Sequence, residues 1–138
     1  MSNKPRVLIV EDDLAMVGML SNMLEEEGYE TRSGIGEKAL KLAEEYQPDV
    51  ILLDVMMPVM DGLEWSNRAK ATPSLSKVPI IALSAANFST LKRTFKDLQA
   101  DSFLSKPFEM DTLINLVYIF SQQSQNMRLA GAGSENNP

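Results

Sequence analysis

Carboxyl groups follow two of the apolar runs in this sequence, and they are its first candidates for chemistry. Three acids, Glu11–Asp13, come directly after the run Arg6–Val10, and Asp54 comes directly after Val50–Leu53. If these runs are neighbouring strands, the carboxylates share one pocket, where like charges raise one another's pKa unless a cation lies among them. Carboxylate oxygens suit Mg²⁺, which keeps several of its waters and pairs with phosphate.

The same acids have a plain structural interpretation, because an acidic residue after a strand often caps the next helix. Asp12 or Asp13 could serve only as such a cap. Acids at the ends of two predicted central strands favour a functional site instead.

Two complementary groups follow later apolar runs. Ser84 comes after Ile80–Leu83, and Lys106 comes after Phe103–Ser105 and before Pro107. A hydroxyl donates one hydrogen bond, and a lysine supplies a compact positive charge. Alone, the serine would be a helix start and the lysine a solvated surface residue. Together with the acids they fit a site where a carboxylate accepts a phosphoryl group and positive charges neutralise its oxygens.

Strands must carry these groups, and the apolar runs have the length and composition of strands that are covered on both faces. Such strands are continuous in Val, Ile and Leu and do not alternate with polar residues. The strong candidates are Arg6–Val10, Val50–Leu53 and Val78–Leu83, and the weaker ones, expected nearer the sheet edges, are Tyr29–Ser33 and Asp101–Leu104.

Apolar positions at helical spacing lie between the runs and predict five helices. Their stripes are Leu14, Val17, Leu20 and Leu24; Ala39, Leu42, Ala43 and Tyr46; Leu63 to Lys70; Phe88, Leu91, Phe95 and Leu98; and Leu113, Leu116, Val117 and Phe120. This alternation predicts an α/β fold, a doubly wound parallel sheet of five strands with helices on both faces. Functional groups in such sheets lie beyond the carboxyl ends of the strands.

The composition narrows the chemistry further. The chain has 138 residues, a formal net charge of −6, no cysteine and no histidine. This excludes Ser-His-Asp and Cys-His catalysis, disulfides, thiolate metal sites and histidine-ligated zinc. An acidic chain also lacks the overall positive charge that would attract nucleic acids or anionic membranes. We therefore expect no direct contact with nucleic acid and none with a membrane.

The sequence is predicted to form one domain with a short addition at each end. Residues 1–5 are a polar leader, residues 6–123 the folded domain, and residues 124–138, rich in Gln, Asn, Ser and Gly, a flexible polar tail. The sequence contains no secretory signal and no apolar run of the roughly 18 residues that span a bilayer. A cytoplasmic location is the expectation.

Four motifs at the predicted strand ends resemble the receiver domain of two-component response regulators, of the single-domain type. The resemblance runs from about Arg6 to Gln123. Each motif is weak alone, but four in the right order are specific. The motifs are Val7–Asp13, Asp49–Pro58 with Asp61–Gly62, Pro79–Ala85 and Phe103–Phe108.

The resemblance implies a flavodoxin-like (βα)5 fold with strand order 2-1-3-4-5, and a role for each acid. Asp54 is the phosphoacceptor, and the cofactor is Mg²⁺. Asp12 and Asp54 bind the metal directly, together with the backbone carbonyl of Met56. Glu11 stands in the place of the second acid and acts through a metal-bound water.

The resemblance also implies how the domain switches. A phosphoryl group adds about −1.5 to −2 charges. Lys106 pairs with one of its oxygens, and Ser84 is drawn towards another. Phe103, in the switch-aromatic position, then turns into the vacated space, and the surface of the fourth helix, fifth strand and fifth helix changes. The bond between Lys106 and Pro107 is expected to be cis.

A domain of this kind is a signalling protein and not an enzyme, with self-phosphorylation from a phosphodonor and slow autodephosphorylation as its only reactions. The implied partners are a histidine kinase or histidine phosphotransfer protein and a downstream target protein. The implied oligomeric state is a monomer or a phosphorylation-dependent dimer. Met56 and Ala86, two residues beyond Asp54 and Ser84, are apolar and cannot orient a water, which predicts a long-lived phosphoryl group.

Several positions depart from the commonest family pattern, although none removes a required group. Glu11 replaces the usual Asp, and Ser84 replaces the more frequent Thr. Phe103 lacks the hydroxyl of Tyr, so a switch there must work by packing. Gln99 stands where a glycine often ends the fourth helix.

Other interpretations remain beside this one. The chain could be a receiver fragment of a larger regulator or hybrid kinase, or a phosphorylation-independent binding module. A haloacid dehalogenase-type phosphatase needs Asp-x-Asp at the nucleophile, whereas Met56 stands two residues after Asp54 here. A flavodoxin-like cofactor binder needs a phosphate-cradling loop after the first strand, where Glu11–Asp13 would repel phosphate.

Overall fold

The computed structural model describes residues 4–56, 60–85 and 98–135, with side chains up to Met127. Each predicted strand is found within two residues of its predicted bounds. The strands are β1 (Arg6–Val10), β2 (Glu30–Gly34), β3 (Val50–Asp54), β4 (Ile80–Ser84) and β5 (Ser102–Ser105). The helices are α1 (Leu14–Glu26), α2 (Gly36–Tyr46), α3 (Gly62–Ala71) and α4 (Met110–Glu135).

The five strands form one parallel sheet in the order β2-β1-β3-β4-β5. The central strands β3 and β4 are buried at every position, whereas the edge strands β2 and β5 are partly exposed. This explains why the two edge strands have the weaker apolar signal. The predicted doubly wound fold and its strand order are confirmed.

Helices cover both faces of the sheet, because successive residues of a strand point to opposite faces. Leu8 of β1 packs with side chains of α2 and α3, including the buried Trp65. Its neighbour Ile9 packs on the opposite face with side chains of α1 and α4, including Leu20 and Leu113. The two cores hold the strand ends in a fixed arrangement.

Helix α4 is the fifth predicted helix, and it is longer than the sequence indicates. The composition predicts a flexible tail from residue 124, whereas the helix continues to Glu135. Buried Ser121 donates a hydrogen bond to the Tyr118 carbonyl at 3.0 Å, and Ser124 Oγ donates to the Asp49 carbonyl at 2.6 Å. The Ser124 bond joins α4 to the segment before β3 without an apolar side chain, so hydrophobic periodicity does not detect it.

Some predicted features fall outside the described residues. These are Ala86 and the fourth predicted helix with Phe88, Leu91 and Phe95, whereas Leu98 at its end is described and buried. The division into leader, domain and tail otherwise stays a prediction. No helix in the described ranges has both the length and the apolar character to cross a membrane.

Two aspartates bind backbone amides at the edge where the strands begin, which we call the amino edge. Asp49 is buried just before β3, and its carboxylate accepts a hydrogen bond from the N–H of Arg6 at 2.8 Å. Asp101, just before β5, accepts from the N–H of Ile80 at 2.8 Å and lies 3.5 Å from the ammonium of Lys70. Each carboxylate ties the start of its strand to the start of the neighbouring strand.

Candidate functional site

The opposite edge, where the strands end, holds the predicted site residues and is called the carboxyl edge. Glu11 directly follows β1, Asp54 ends β3, Ser84 ends β4, and Lys106 directly follows β5. Strands β1, β3, β4 and β5 are successive neighbours in the sheet. The topology therefore brings together four residues that are far apart in the sequence.

Three carboxylates form a cluster at this edge. Glu11, Asp12 and Asp54 each offer an oxygen, and these oxygens all lie within 4.8 Å of one another. Glu11 and Asp54 are buried, whereas Asp12 is exposed. The cluster therefore has a buried floor and one side open to solvent.

The ammonium group of Lys106 faces this carboxylate cluster. Its Nζ donates a hydrogen bond to Glu11 Oε1 at 3.0 Å and lies 3.7 Å from Asp54 Oδ1. The backbone N–H of Lys106 donates to the Ser84 carbonyl at 2.7 Å, and the bond between Lys106 and Pro107 is cis, as expected. The end of β5 thus delivers a positive charge to the ends of β1 and β3.

The two acids after Glu11 differ in what they contact. Asp13 caps α1, since its Oδ1 accepts hydrogen bonds from the N–H groups of Ala15 at 3.0 Å and Met16 at 3.4 Å. Its own N–H donates to Glu11 Oε2 at 3.2 Å. Asp12 joins the carboxylate cluster instead. The capping interpretation that the sequence left open therefore applies to Asp13.

The chain after β3 orients the Asp54 carboxylate. The N–H of Met56 donates a hydrogen bond to Asp54 Oδ1 at 3.1 Å, while the Met56 side chain is exposed. Ser84 is buried at the end of β4, where the register pairs Leu83 with Asp54. The serine therefore sits one residue beyond the position level with the carboxylate.

Phe103 of β5 lies half-buried in a small apolar cluster. It packs against the buried residues Val55, Ala82 and Leu98, and we call these four residues the Phe103 cluster. Val55 directly follows Asp54 in the chain. The Phe103 cluster is therefore one peptide bond away from the carboxylate.

Gly62 supports the site, although its only predicted role is its place in a motif. Its N–H donates a hydrogen bond to the Val55 carbonyl at 2.9 Å, and a Cβ on Gly62 would lie 2.7 Å from Val55 Cα. Any side chain here would push α3 away from the segment after Asp54. The signal in the sequence is the Asp61–Gly62 pair, in which Asp61 caps α3 by accepting from the N–H of Glu64 at 2.9 Å.

Burial and crowding act together on Glu11. Burial raises the pKa of the Glu11 carboxyl above its usual 4.5, and the neighbouring Asp54 raises it further. Lys106 and the N–H of Asp13 act in the opposite direction, but the net shift is upward. The charged form of this buried acid is thus disfavoured, as like charges at close range require.

The residues of the cluster fit Mg²⁺ by their chemistry. Every side-chain donor of the carboxylate cluster is an oxygen, and Asp12 keeps one side of it open to solvent. Mg²⁺ prefers such oxygen ligands and retains several waters. Among the described residues of the cluster and its contacts, three carboxylates face the one ammonium of Lys106. A divalent cation held by Glu11, Asp12 and Asp54 would balance that excess.

A comparison with known proteins gives the family. The model of the response regulator receiver domain matches residues 7–118. The chain therefore belongs to the receiver domain family of two-component response regulators, and the resemblance inferred from the four motifs is confirmed.

Individual relatives support the same assignment. The chain is 32% identical over 132 residues to the DNA-binding dual master transcriptional regulator RpaA of Synechocystis sp., covering 95% of this chain and 55% of RpaA. It is 32% identical over 112 residues to the polar-differentiation response regulator DivK of Brucella ovis, covering 80% of this chain and 91% of DivK. The chain spans about half the length of the first curated relatives that it matches.

A solved structure bears on the metal. The receiver domain of the sensor histidine kinase PA1611 from Pseudomonas aeruginosa superposes with a TM-score of 0.75 at 26% identity, covering 86% of this chain and 98% of that one. That structure has a magnesium ion coordinated in its active site cleft.

Family membership establishes the general properties of the chain. Receiver domains are signalling proteins and not classical enzymes, they are phosphorylated, and they bind Mg²⁺ at an acidic site. They interact with histidine kinases or phosphotransfer proteins. The class of protein, its fold and its place in two-component signalling are therefore as predicted.

Proposed function

We propose that Asp54 of this domain accepts a phosphoryl group from a phosphohistidine of a histidine kinase or phosphotransfer protein. An Asp54 carboxylate oxygen attacks phosphorus, a P–O bond forms, and the P–N bond to the imidazole breaks. The imidazole leaves with the electron pair of that bond and takes up a proton from water. The observation that carries the proposal is the placement of Asp54 beside Glu11 and Asp12, with Lys106 3.7 Å from its Oδ1.

Residues of the chain have separate tasks in this transfer. The N–H of Met56 holds the Asp54 carboxylate in a fixed orientation. Lys106 is placed to exchange its contact with Glu11 for one with a phosphoryl oxygen. Ser84, at the end of the neighbouring strand, supplies a hydroxyl for another oxygen. Mg²⁺, held by Asp12, Asp54, the Met56 carbonyl and, through a water, Glu11, would neutralise phosphoryl charge.

Release of Lys106 from Glu11 couples the transfer to the rest of the domain. The added charge on Asp54 attracts Lys106 and Ser84, and the segment that leaves β4 follows Ser84. Phe103 then repacks within the Phe103 cluster, and because it has no hydroxyl it acts through packing alone. A local change of charge at Asp54 thereby shifts the equilibrium between two packing arrangements of the Phe103 cluster.

The phosphoryl group is proposed to persist once formed. Slow hydrolysis requires that no neighbouring side chain orients an attacking water, and the Met56 side chain is apolar and exposed next to Asp54. The lifetime of the phosphorylated state is then determined by partner proteins and not by spontaneous hydrolysis.

The output is proposed to be contact with a downstream target protein in the cytoplasm, by a monomer or a phosphorylation-dependent dimer. RpaA is described as DNA-binding and is about twice the length of the matched region. The net charge of −6 argues against nucleic acid contact by the present chain itself. The same transfer would serve a receiver that forms part of a larger regulator or hybrid kinase.

The test is phosphorylation by a small donor. The purified protein is incubated with acetyl phosphate and Mg²⁺, and the intact mass is measured. We expect a single phosphoryl adduct that is absent when a chelator is added and absent from Asp54→Asn.

Asp49→Asn is the matched control, because it also changes a buried aspartate next to β3 but lies at the amino edge. It should still form the adduct. A folded wild-type protein that forms no adduct, or an adduct that survives in Asp54→Asn, would overturn the proposal and favour a phosphorylation-independent binding module.

A further inference from the structure

Gln99 ties the segment before β5 to helix α3. Its side-chain Nε2 donates a hydrogen bond to Asn67 Oδ1 at 2.9 Å, and its backbone N–H donates to Ser66 Oγ at 3.4 Å. Ser66 is fully buried and is fixed in turn, since its hydroxyl donates to the Leu63 carbonyl at 3.0 Å. We call the contacts of Gln99 with Ser66 and Asn67 the α3 clamp.

The α3 clamp lies between two residues that pack near the site. Leu98, directly before Gln99, is buried in the Phe103 cluster against Val55, and Ala100, directly after it, packs against the same cluster. Val55 follows Asp54 and its carbonyl accepts the N–H of Gly62, the first residue of α3. The carboxylate, Phe103 and α3 are thus connected through described contacts. Gln99 adds a second connection, from the segment before β5 to α3.

We propose that Gln99 is a positioning residue that opposes phosphorylation of Asp54, because the α3 clamp stabilises the arrangement in which Lys106 faces Glu11 and Asp54. The inference rests on the proposed function. If the Phe103 cluster repacks when Asp54 is phosphorylated, Leu98 must shift with it. A segment held on α3 by Gln99 resists that shift.

The size of the effect follows from the hydrogen bond that a substitution removes. Gln99→Ala deletes the bond to Asn67 and leaves the backbone bond to Ser66 in place. The bond to Asn67 is exposed to solvent, so it changes an equilibrium between two arrangements by only about two- to threefold. A glycine at this position, as often found in the family, could make the backbone bond to Ser66 but not the side-chain bond to Asn67.

The experiment measures the rate of phosphorylation by acetyl phosphate with Mg²⁺, followed by intact mass, in a set of variants. Gln99→Ala and Asn67→Ala should each be phosphorylated about two- to threefold faster than the wild type. The double variant should be no faster than either single variant, since both remove the same contact. Gln123→Ala, which removes an exposed amide from α4, is the control and should leave the rate unchanged.

Asn67→Asp separates a positioning role from a merely structural one. It keeps the oxygen that accepts from Gln99 Nε2, so its phosphorylation rate should remain close to the wild-type rate. Urea unfolding of every variant accompanies the rates. A purely structural role of Gln99 would lower stability without raising the rate.

The outcomes distinguish this inference from the function on which it rests. Faster phosphorylation in both alanine variants, with rescue by Asn67→Asp, supports it. Unchanged or slower phosphorylation in folded Gln99→Ala overturns it while leaving Asp54 as the phosphoacceptor. A folded wild-type protein that is not phosphorylated overturns the proposed function and this inference together.

Discussion

Aspartates lie at both edges of the sheet, and their surroundings differ. At the amino edge, Asp49 accepts the N–H of Arg6, and Asp101 accepts the N–H of Ile80 and lies near Lys70. At the carboxyl edge, the Asp54 carboxylate accepts the N–H of Met56 but also shares its surroundings with two other acids. Aspartates at both edges therefore accept a backbone N–H, and what sets Asp54 apart is the like charge around it.

This difference separates carboxylates that stabilise the fold from carboxylates that can bind a ligand. A buried acceptor that receives a backbone N–H meets its own need and that of the amide. A carboxylate beside other carboxylates keeps an excess of negative charge, which a cation or a lysine can offset. The burial of Asp49 and Asp54 is similar, so exposure alone does not distinguish them.

The largest expected contrast is the response of stability to Mg²⁺. A ligand that binds only the folded state at 100 times its Kd raises the free energy of unfolding by about 2.7 kcal/mol. Urea unfolding with Mg²⁺ and with chelator should show such an increment in the wild type and little of it in Asp12→Asn. Asp13→Asn changes the adjacent charge but keeps a good capping side chain, and it should retain the increment. If both variants lost the Mg²⁺ increment equally, net charge alone would explain the Mg²⁺ effect, and the comparison of the two edges would fail.

Asp49→Ala tests the amino edge from the other side. It removes the acceptor of the Arg6 N–H, and an unsatisfied buried donor lowers the free energy of unfolding by about 1–3 kcal/mol. The phosphorylation rate of the folded protein and its Mg²⁺ increment should not change. Asp49→Asn, which keeps an acceptor oxygen, should be less destabilising in the same urea measurement. A loss of phosphorylation in folded Asp49→Ala would contradict the separation of the two edges.

The smallest effect is expected for an acid on the outer surface. Glu37 of α2 is in contact with Arg68 of α3, which lowers the pKa of the Glu37 carboxyl below its usual 4.5. The folded state therefore binds this proton less readily than the unfolded state, so the ion pair stabilises above pH 4.5 and is lost as the pH falls through the folded-state pKa.

Urea midpoints measured from neutral pH downwards check this. Glu37→Gln should show a slightly weaker loss of stability in acid than the wild type, and high salt should remove most of the difference by screening. A difference that is large or insensitive to salt would mean that this exposed pair behaves like the buried acids.

The central part of the fold was predictable because its strands are buried on both faces. Val50–Leu53 and Ile80–Leu83 are uninterrupted apolar runs, and their ends place Asp54 and Ser84 without ambiguity. Helix α4 was predictable only as far as its apolar stripe extends. Beyond it, the Ser124 hydroxyl joins the helix to the Asp49 carbonyl, and a contact of this kind leaves no pattern in hydropathy.

The gathering of these residues at the carboxyl edge was predictable, but their contacts were not. The choice between Asp12 and Asp13 depends on backbone direction after β1, which puts Asp13 over the first turn of α1. Gln99 was recognisable only as a departure from a common glycine, because its partner Asn67 lies 32 residues earlier in the chain. Contacts of that separation follow from the packing of elements and not from local spacing.

Lys106 and Glu11 are 95 residues apart in the sequence and 3.0 Å apart in space. Their contact joins the end of β5 to the end of β1. It therefore closes a loop of chain that contains all four strands after β1. Closing such a loop early is entropically unfavourable, and contacts of this range form after the local ones. A nascent chain therefore carries its acids through synthesis without the lysine that completes the site. On the proposed function, competence to accept a phosphoryl group arises only in a molecule that has finished folding.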